Sequence, residues 1–363
     1  NLFEDLGFKY LGPIDGHNLD ELTEALMVAK MMQRPCLVHI YTKKGKGYAP
    51  AEDNSGEYHG LPPKKDDDNN CKGECFTDAF GKALLTFADN DNSIYAVTAA
   101  MKYGTGLQHF YKAFPERFFD VGIAEQHAVT FSAGLASQGK LPVFAVYSSF
   151  LQRSYDQLIH DCAIEKRHIV LGIDRAGFVG EDGETHHGLF DVAMLTTVPG
   201  VTVYSPSDTA ELSQCLEQAL YKDKGVVAVR YPRGCELYRS GTKAYSDFRH
   251  VSNKSRKLIF TYGRISAYAY TIHGVDVLQA IKIFPIADEI INICLAYDEI
   301  YAFEEGEREG GIAQKLCTAL ALAGFKGRFT ITAVDGFVRH ADVATQLHNA
   351  MLDADGMRKI TGE

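Results

Sequence analysis

Titratable side chains collect where predicted strands end, beginning with the strand 118–122. That strand runs into Glu125, Gln126 and His127, which puts a carboxylate and an imidazole in the first turn of the following helix. An acidic residue at a helix N-terminus is also favoured by the helix dipole alone. Because ligands of parallel sheets bind beyond the carboxyl ends of the strands, Glu125 and His127 are candidates for function.

The next predicted strand, 142–147, ends in Tyr147 and is followed by Phe150 and Arg153. An aromatic ring at the start of a helix usually serves packing. A ring beside a guanidinium could instead stack on a flat ligand while the cation holds an anion. The segment therefore indicates either core packing or a site for a planar, negatively charged ligand.

A third strand, 168–173, leads into the loop 174–188, which holds four carboxylates, one arginine and two histidines among glycines. A loop has no packing reason to carry so many ionisable groups, although a solvated loop can carry them. The concentration of titratable groups, with Asp182 and His186 among them, favours a functional loop over a solvated one.

Two further segments hold polar candidates. Arg233 stands just after the strand 226–231, and in the opening segment lysines flank glycines at 43–48, shortly before His59. Lysines beside glycines could face a phosphate, yet the spacing of a P-loop is absent. A solvated basic turn explains 43–48 equally well.

Strands and amphipathic helices alternate from residue 76 onward, which is typical of βα units and a mostly parallel sheet. The predicted strands are 93–98, 118–122, 142–147, 168–173, 201–204 and 226–231. The predicted helices are 77–88, 125–138, 150–164 and 208–221. This arrangement would place the candidate residues beyond the strand ends of one sheet.

A smaller α/β series follows an irregular stretch at 234–254. Its predicted strands are 257–262, 276–283, 298–303 and 328–333, and its predicted helices are 287–296 and 311–323. The first 60 residues differ from both series and hold one helix at 18–32 and one strand at 36–41. The polar run 64–72 is most simply a solvated linker.

We therefore predict an α/β protein in three parts. These are the tail of an earlier domain at 1–63, an α/β domain at 74–235 and a smaller α/β domain at 250–363. The chain opens at Asn1 in mid-pattern, so we expect it to be part of a longer protein.

Composition limits the possible functions. The 363 residues carry a formal charge of −10 and no block rich in Lys or Arg, which argues against nucleic acid as a partner. The longest apolar runs fall far short of the roughly 20 residues that cross a bilayer, so we expect no membrane span. Eight cysteines show no C-x-x-C pair, which favours reduced thiols in a cytoplasmic protein over a zinc site.

Taken together, these segments resemble the 1-deoxy-D-xylulose-5-phosphate synthases, a thiamine-diphosphate-dependent family of the transketolase class. The resemblance runs along nearly the whole chain and is most specific from Phe76 to Gly234. The matching stretches are Gly12–His17, Thr42–Glu52 (TKKGKGYAPAE), Asp120–Thr130 (DVGIAEQHAVT), Tyr147–Asp161 (YSSFLQRSYDQLIHD), Ile173–Gly188 (IDRAGFVGEDGETHHG), Tyr231–Gly234 and Leu352–Gly356 (LDADG).

The resemblance implies two consecutive parallel-sheet domains, a pyrimidine-binding domain and a transketolase-like C-terminal domain, preceded by the tail of a diphosphate-binding domain. It implies decarboxylation of pyruvate and transfer of the two-carbon unit to glyceraldehyde 3-phosphate. The product, 1-deoxy-D-xylulose 5-phosphate, would feed isoprenoid, thiamine and pyridoxal synthesis. A homodimer with thiamine diphosphate and Mg²⁺ as cofactors is also implied.

The resemblance assigns the residues around the cofactor. It implies that Glu125 hydrogen-bonds N1′ of the aminopyrimidine ring, that Phe150 stacks on this ring and that Tyr48 contacts the cofactor. His59 and His186 match histidines near the reacting carbons. Imidazole groups are suited to proton transfer to and from substrate oxygens near neutral pH.

The resemblance also assigns the acceptor site. Arg153 and Arg233 match family positions that bind the phosphate of glyceraldehyde 3-phosphate, because a phosphate calls for cations with a forked geometry. Tyr147 and Asp182 match their hydrogen-bonding neighbours.

The chain also departs from the family. No Gly-Asp-Gly followed downstream by Asn appears, so the Mg²⁺ ligands are expected in a missing N-terminal domain. This chain alone is therefore expected to be inactive. The run Lys282–Asp288 stands where the family has an R-F-V-K-P-L-D-like sequence, which leaves the details of the last domain open.

Two alternatives stay open. A β-type subunit of a 2-oxo acid dehydrogenase or of a split transketolase also joins a pyrimidine-binding and a C-terminal domain in one chain, although the segment with Tyr48 and His59 argues against it. A non-catalytic protein that kept only the scaffold is the other. It would have no need to keep Glu125, His186 and their neighbours together.

Overall fold

The computed structural model describes residues 1–59, 74–237 and 244–363. The chain divides into two compact units, Asn1–Asn69 and Asn70–Glu363. The polar run 64–72, predicted to be a solvated linker, lies outside the described residues.

The first unit is built on a parallel strand pair. Its elements are α1 (Leu2–Asp5), β1 (Lys9–Asp15), α2 (Leu19–Met31), β2 (Cys36–Tyr41) and α3 (Ala49–Asp53). β1 and β2 run parallel and α2 connects them, so the predicted helix and strand are confirmed. β1 was not predicted because Gly12 and Pro13 interrupt its apolar pattern.

The second unit contains the two α/β series. Its strands are β3 (Ile94–Thr98), β4 (Phe118–Asp120), β5 (Leu141–Tyr147), β6 (Ile169–Asp174), β7 (Thr202–Tyr204), β8 (Val226–Arg230), β9 (Phe248–Val251), β10 (Lys257–Tyr262), β11 (Asp276–Ala280), β12 (Lys282–Phe284), β13 (Glu299–Glu307) and β14 (Arg328–Val334).

Its helices alternate with these strands. They are α4 (Phe76–Asn90), α5 (Gln108–Ala113), α6 (Glu125–Ser137), α7 (Ser148–Leu151), α8 (Tyr155–Gln157), α9 (Asp191–Leu195), α10 (Thr209–Tyr221), α11 (Ser266–Ala269), α12 (Asp288–Cys294), α13 (Ile312–Leu322), α14 (Val343–Asn349) and α15 (Ala354–Thr361).

Two mostly parallel sheets result, which confirms the predicted α/β class. The seven-stranded sheet has the order β12-β7-β8-β6-β5-β3-β4, and the five-stranded sheet has the order β14-β13-β10-β11-β9. Only the pairs β12 with β7 and β11 with β9 are antiparallel among the described strands. β6 and β8 are buried along their whole length, as strands covered on both faces are.

The predicted strand 276–283 is wrong as one element. The chain leaves the five-stranded sheet at Ala280 and joins the other sheet as β12, where Lys282 pairs with Tyr204 and its ammonium lies 3.1 Å from Asp223. One buried cluster contains side chains of both sheets, among them Val146 and Phe260. Since both sheets belong to one compact unit, the predicted division between 235 and 250 stays a prediction.

The predicted helix 150–164 is not a continuous α-helix. α7 passes into a 3₁₀ turn, Gln152–Ser154, then into α8 and a π-helical turn, Leu158–Ala163. The Ser154 hydroxyl donates to the carbonyl of Leu151 at 2.8 Å. Such side-chain bonds to the preceding turn bend helices, and π turns collect at functional sites.

The cysteines only partly follow the prediction of reduced thiols. Cys162, Cys215 and Cys294 are buried thiols, and burial raises the pKa of Cys162 and of Cys294 to about 12, which keeps them unreactive. At Cys235 the prediction is wrong, because this residue is in a disulfide. Across residues 1–59, 74–237 and 244–363, no helix has the length and apolar character needed to span a bilayer.

Candidate active site

Glu125 is the first residue of α6, and a tight turn after β4 brings it there. Asp120 Oδ1 accepts the N–H groups of Gly122 at 3.0 Å and of Ala100 at 2.8 Å. Gly122 has φ +75°, a conformation that favours glycine. The turn therefore ends the strand at the sheet edge and directs the chain into α6 at Glu125.

The Glu125 side chain is buried with an unused acceptor. The residue is 2% exposed, and its Oε2 is buried without a hydrogen-bond partner. A buried acceptor left unpaired costs about 1–3 kcal/mol. Because Oε2 accepts no hydrogen bond within the protein, the carboxylate is suited to accept one from a ligand.

Three predicted site residues are brought together as a group of rings. Tyr147, at the end of β5, stacks on Phe150 with ring centroids 5.7 Å apart and an interplanar angle of 30°. Phe150 meets the His186 ring edge-on at 5.3 Å. All three rings are partly exposed, so the group can offer an apolar face to a flat ligand with an imidazole beside it.

The loop 174–188 is closed by its own backbone. Gly177 and Gly188 exchange two hydrogen bonds, of 2.7 and 2.8 Å. A Cβ atom at Gly188 would lie 2.2 Å from the carbonyl oxygen of Arg175, so only glycine fits there. The closure fixes the path of the loop beyond the end of β6.

The two histidines of this loop have different surroundings. His187 is buried, its Nδ1 accepts the N–H of Val179 at 3.2 Å, and burial lowers its pKa. It is therefore a neutral structural group. His186 is half-buried beside Phe150, with its Nδ1 2.8 Å from the hydroxyl of Thr185.

Asp182 and Arg233 form an ion pair that joins this loop to the end of β8. Arg233 Nη1 lies 2.7 Å from Asp182 Oδ2 and donates to the carbonyl of Val179 at 2.9 Å. An exposed ion pair adds little to stability. Its effect here is to hold the Arg233 guanidinium against the loop.

Arg175 is a site residue that the sequence analysis did not single out. Its guanidinium lies over the Tyr147 ring, and its Nε is buried without a partner. Burial and the nearby Arg233 lower its pKa to about 10, while Asp182 acts in the opposite direction. Asp182 is paired with Arg233, so the guanidinium of Arg175 adds a positive charge that is available to an anion.

A second buried carboxyl lies at the end of β6. Asp174 Oδ2 accepts the Thr77 hydroxyl at 2.7 Å, whereas Oδ1 is buried without a partner. Burial raises the pKa of Asp174 to about 7. The Tyr231 hydroxyl is also buried without a partner.

The remaining predicted site residues are not brought into these groups. Arg153 is exposed in the 3₁₀ turn after α7, against which α6 packs. Tyr48 and His59 belong to the first unit, where Tyr48 meets the Tyr58 ring edge-on at 5.6 Å and His59 Nδ1 lies 2.5 Å from Lys44 Nζ. Their roles toward cofactor and substrate stay predictions.

Two family descriptions match separate parts of the chain. The family described as "Transketolase, pyrimidine binding domain" matches residues 75–236, which carry β3 to β8 and all the site residues of the second unit. The family described as "1-deoxy-D-xylulose-5-phosphate synthase" matches residues 1–42.

The chain is similar to curated proteins named 1-deoxy-D-xylulose-5-phosphate synthase. It is 49% identical to that of Clostridium kluyveri (strain NBRC 12016) over 278 residues, 74% of this chain and 44% of the relative. It is 40% identical to that of Clostridium acetobutylicum over 376 residues, 98% of this chain and 60% of the relative. Nearly all of this chain therefore matches this relative, but the match spans 60% of the relative's length.

Solved structures share the fold. A chain described as "Split gene transketolase, inactive beta4 tetramer" has a TM-score of 0.69 and 23% identity, with 78% of this chain and 96% of that chain covered. The transketolase of Campylobacter jejuni subsp. jejuni NCTC 11168 has a TM-score of 0.65 and 14% identity, with 99% of this chain and 68% of that chain covered.

Proposed function

Because the chain belongs to the family of the 1-deoxy-D-xylulose-5-phosphate synthases, we propose that it takes part in that reaction with thiamine diphosphate as cofactor. The reaction removes CO₂ from pyruvate and transfers the remaining two-carbon unit to glyceraldehyde 3-phosphate. The observation that carries the proposal is the unpartnered Oε2 of the buried Glu125.

The second unit fits the aminopyrimidine end of the cofactor. Glu125 offers a buried acceptor, and a carboxyl group beside a ring nitrogen can hold a proton at N1′. Phe150 and Tyr147 offer an apolar face of the size of a single ring. When bound, thiamine diphosphate supplies the electron sink for decarboxylation, and these residues orient it.

The acceptor phosphate would bind between Arg175 and Arg233. Asp182 pairs with Arg233, and the guanidinium of Arg175 adds a further positive charge that would attract a phosphate anion. A guanidinium presents a planar fork that matches phosphate oxygens. Arg153 is retained as a third candidate for this anion.

His186 is proposed to move protons at the substrate oxygens. Its ring stands beside Phe150, the residue proposed to hold the cofactor ring, and is half-buried. An imidazole is the side chain best suited to exchange a proton near neutral pH. His59 is proposed for the same chemistry from the first unit.

Mg²⁺ is proposed as a second cofactor without ligands in the described chain. Within residues 1–59, 74–237 and 244–363, no group of three His, Cys, Asp or Glu side chains could hold a metal ion. We therefore assign no residue of the described chain to Mg²⁺ or to the diphosphate.

We also propose a homodimer and a cytoplasmic location. Large apolar side chains are strongly exposed in the second unit, among them Ile123 at 80% and Phe337 at 80%. Exposed apolar surface is typical of faces covered by another chain. Small molecules are the only other partners proposed.

One comparison favours a second candidate function. The split-gene transketolase chain is covered over 96% of its length, which would suit a subunit that pairs with a separate diphosphate-binding chain. The match of residues 1–42 to the synthase family favours the first candidate.

The test is an assay of the purified protein in the form in which the cell makes it. CO₂ release from carboxyl-labelled pyruvate is measured with thiamine diphosphate and Mg²⁺, with and without glyceraldehyde 3-phosphate. We expect release that depends on the aldehyde, with 1-deoxy-D-xylulose 5-phosphate identified by mass spectrometry. Two-carbon transfer between sugar phosphates without CO₂ would support the second candidate, and neither activity would contradict both.

A further inference from the structure

A buried ion pair beside the five-stranded sheet contacts two segments: the loop after β6, which includes Arg175, and the segment after β8, which includes Arg233. Arg264 follows β10, Glu305 lies on β13, and they are 5% and 6% exposed. Arg264 Nε donates to Glu305 Oε2 at 2.9 Å, and Nη2 donates to Glu305 Oε1. A pair this buried must be matched by further hydrogen bonds, because desolvating two charges is costly.

Those further bonds go to the two segments that carry the cations. Glu305 Oε1 accepts the N–H of Phe178 at 2.7 Å. Arg264 Nη2 donates to the carbonyl of Phe178 at 2.9 Å, and Nη1 donates to the carbonyl of Arg233 at 3.2 Å. One guanidinium thus holds the loop after β6 and the segment after β8 at the same time.

The loop backbone approaches the Glu305 carboxylate closely at Gly177. A Cβ atom at Gly177 would lie 2.3 Å from Glu305 Oε1, so the loop backbone passes directly over the carboxylate. Gln346 of α14 also holds the loop, because its Oε1 accepts the N–H of Gly180 at 3.1 Å. The loop is therefore held at Phe178 and at Gly180 by side chains far away in sequence.

We propose that Arg264 and Glu305 are positioning residues that set the distance between the Arg175 and Arg233 guanidinium groups and so tune the site for a phosphorylated acceptor. The inference rests on the proposed function, because it takes those two cations as the phosphate site. Two forks bind one phosphate well only at a matching separation. Neither positioning residue needs to touch the substrate.

A neighbouring residue provides a matched control. Glu304, next to Glu305 on β13, is 1% exposed. It accepts the Tyr262 hydroxyl at 2.5 Å and the N–H groups of Ile312 and Ala313 at the start of α13, each at 2.9 Å. Glu304 therefore stabilises the five-stranded sheet and α13 without holding the loop after β6 or the segment after β8.

The variants are Glu305→Gln, Arg264→Lys and the control Glu304→Gln. Glu305→Gln keeps the shape but removes the charge, and Arg264→Lys keeps the charge but loses the fork that reaches two carbonyls and a carboxylate. Binding of glycerol 3-phosphate, a stable phosphate without the reacting aldehyde, is measured by calorimetry on the full chain. Melting temperature is recorded for each variant.

We expect Glu305→Gln and Arg264→Lys to weaken glycerol 3-phosphate binding about tenfold or more, and Glu304→Gln to leave it within about twofold. In the active holoenzyme, the KM for glyceraldehyde 3-phosphate should rise by a similar factor while the KM for pyruvate stays constant. A purely structural role would lower the melting temperature of all three variants and change binding equally.

Equal binding by wild type and all variants, or equal weakening in all three, would overturn the inference. Absence of binding by the wild type would remove the phosphate site itself and the inference with it. That result would leave the Glu125 part of the proposed function to its own test, so the two failures are distinguishable.

Discussion

The guanidinium carbon of Arg175 lies 3.7 Å from the centroid of the Tyr147 ring. A cation in this position is attracted by the ring with about 0.5–2 kcal/mol. Burial and the charge of Arg233 lower the pKa of Arg175 only to about 10, so it stays charged at neutral pH. A ring rather than a carboxylate holds Arg175, which leaves its charge for an anion.

Replacing Arg175 with Gln should impair use of the phosphorylated substrate selectively. We expect the KM for glyceraldehyde 3-phosphate to rise about tenfold or more and the KM for pyruvate to change less than about threefold, because only the aldehyde carries a phosphate. Steady-state kinetics of the holoenzyme measures both constants. Arg167→Gln, at a partly exposed arginine 3.4 Å from Glu165, is the control and should change neither. An equal rise in both constants would count against a phosphate role.

Gly104 should not tolerate alanine, because of Tyr147. A Cβ atom at Gly104 would lie 1.6 Å from the Tyr147 hydroxyl oxygen, so the ring must move. We expect Gly104→Ala to lower the free energy of unfolding by about 1–3 kcal/mol. Gly134→Ala, in α6 with nothing within 4 Å of the added carbon, should instead be neutral or stabilising by up to about 1 kcal/mol. Chemical denaturation compares the two, and similar effects would show that Tyr147 is not fixed.

The unpaired Oε2 of Glu125 predicts opposite effects on stability and on activity. Glu125→Gln alters a carboxyl whose buried Oε2 accepts no hydrogen bond, so the free energy of unfolding should stay equal or rise. Turnover should fall about a hundredfold or more, since the amide cannot hold the proton at the cofactor ring. Thermal unfolding and CO₂ release measure the two effects.

A buried glutamate with partners gives the contrast. Glu211 accepts the Ser207 N–H at 2.9 Å and pairs with Arg249 at 2.7 Å. Glu211→Gln should therefore destabilise the protein by about 3 kcal/mol or more, because it breaks a buried pair. If Glu125→Gln is destabilising to the same extent, its carboxylate is a structural group.

Elements with local signals were predictable from the sequence. α10 was predicted at 208–221, and Asp208 caps it by accepting the N–H of Glu211 at 2.8 Å. β9 and β12 were not predicted, because each forms by pairing with a strand distant in sequence. β9 pairs with β11, and β12 pairs with β7. No local pattern encodes such a pairing.

The residues of the candidate site also divide into those with a local sequence signal and those without one. Glu125, Tyr147 and Phe150 could be singled out because each lies at a strand end or within five residues after one. Arg175 could not, because its φ of +61° turns the chain at the end of β6 and carries the guanidinium over Tyr147. A left-handed conformation is uncommon outside glycine, and the sequence gives no sign of it here.

Asp174 should make the stability of the protein fall as the pH rises. Burial raises its pKa from 3.8 to about 7, so the folded state binds this proton more tightly than the unfolded state. The resulting stability is fully present below pH 4 and is lost as the pH rises through 7. Asp174→Asn, which resembles the protonated form, should remove this dependence and stabilise the protein at pH 8 by about 2–4 kcal/mol.

Asp276 provides the control of opposite sign. Burial alone would raise its pKa, but hydrogen bonds from Tyr297, Asn253 and other donors lower it below 3.8. Its stability contribution is therefore present above pH 4 and lost at lower pH. Asp276→Asn should destabilise the protein at pH 8, where Asp174→Asn stabilises it. Urea unfolding between pH 4 and 8 measures both variants. Parallel curves for wild type and Asp174→Asn would mean that Asp174 is ionised in the folded protein throughout this range.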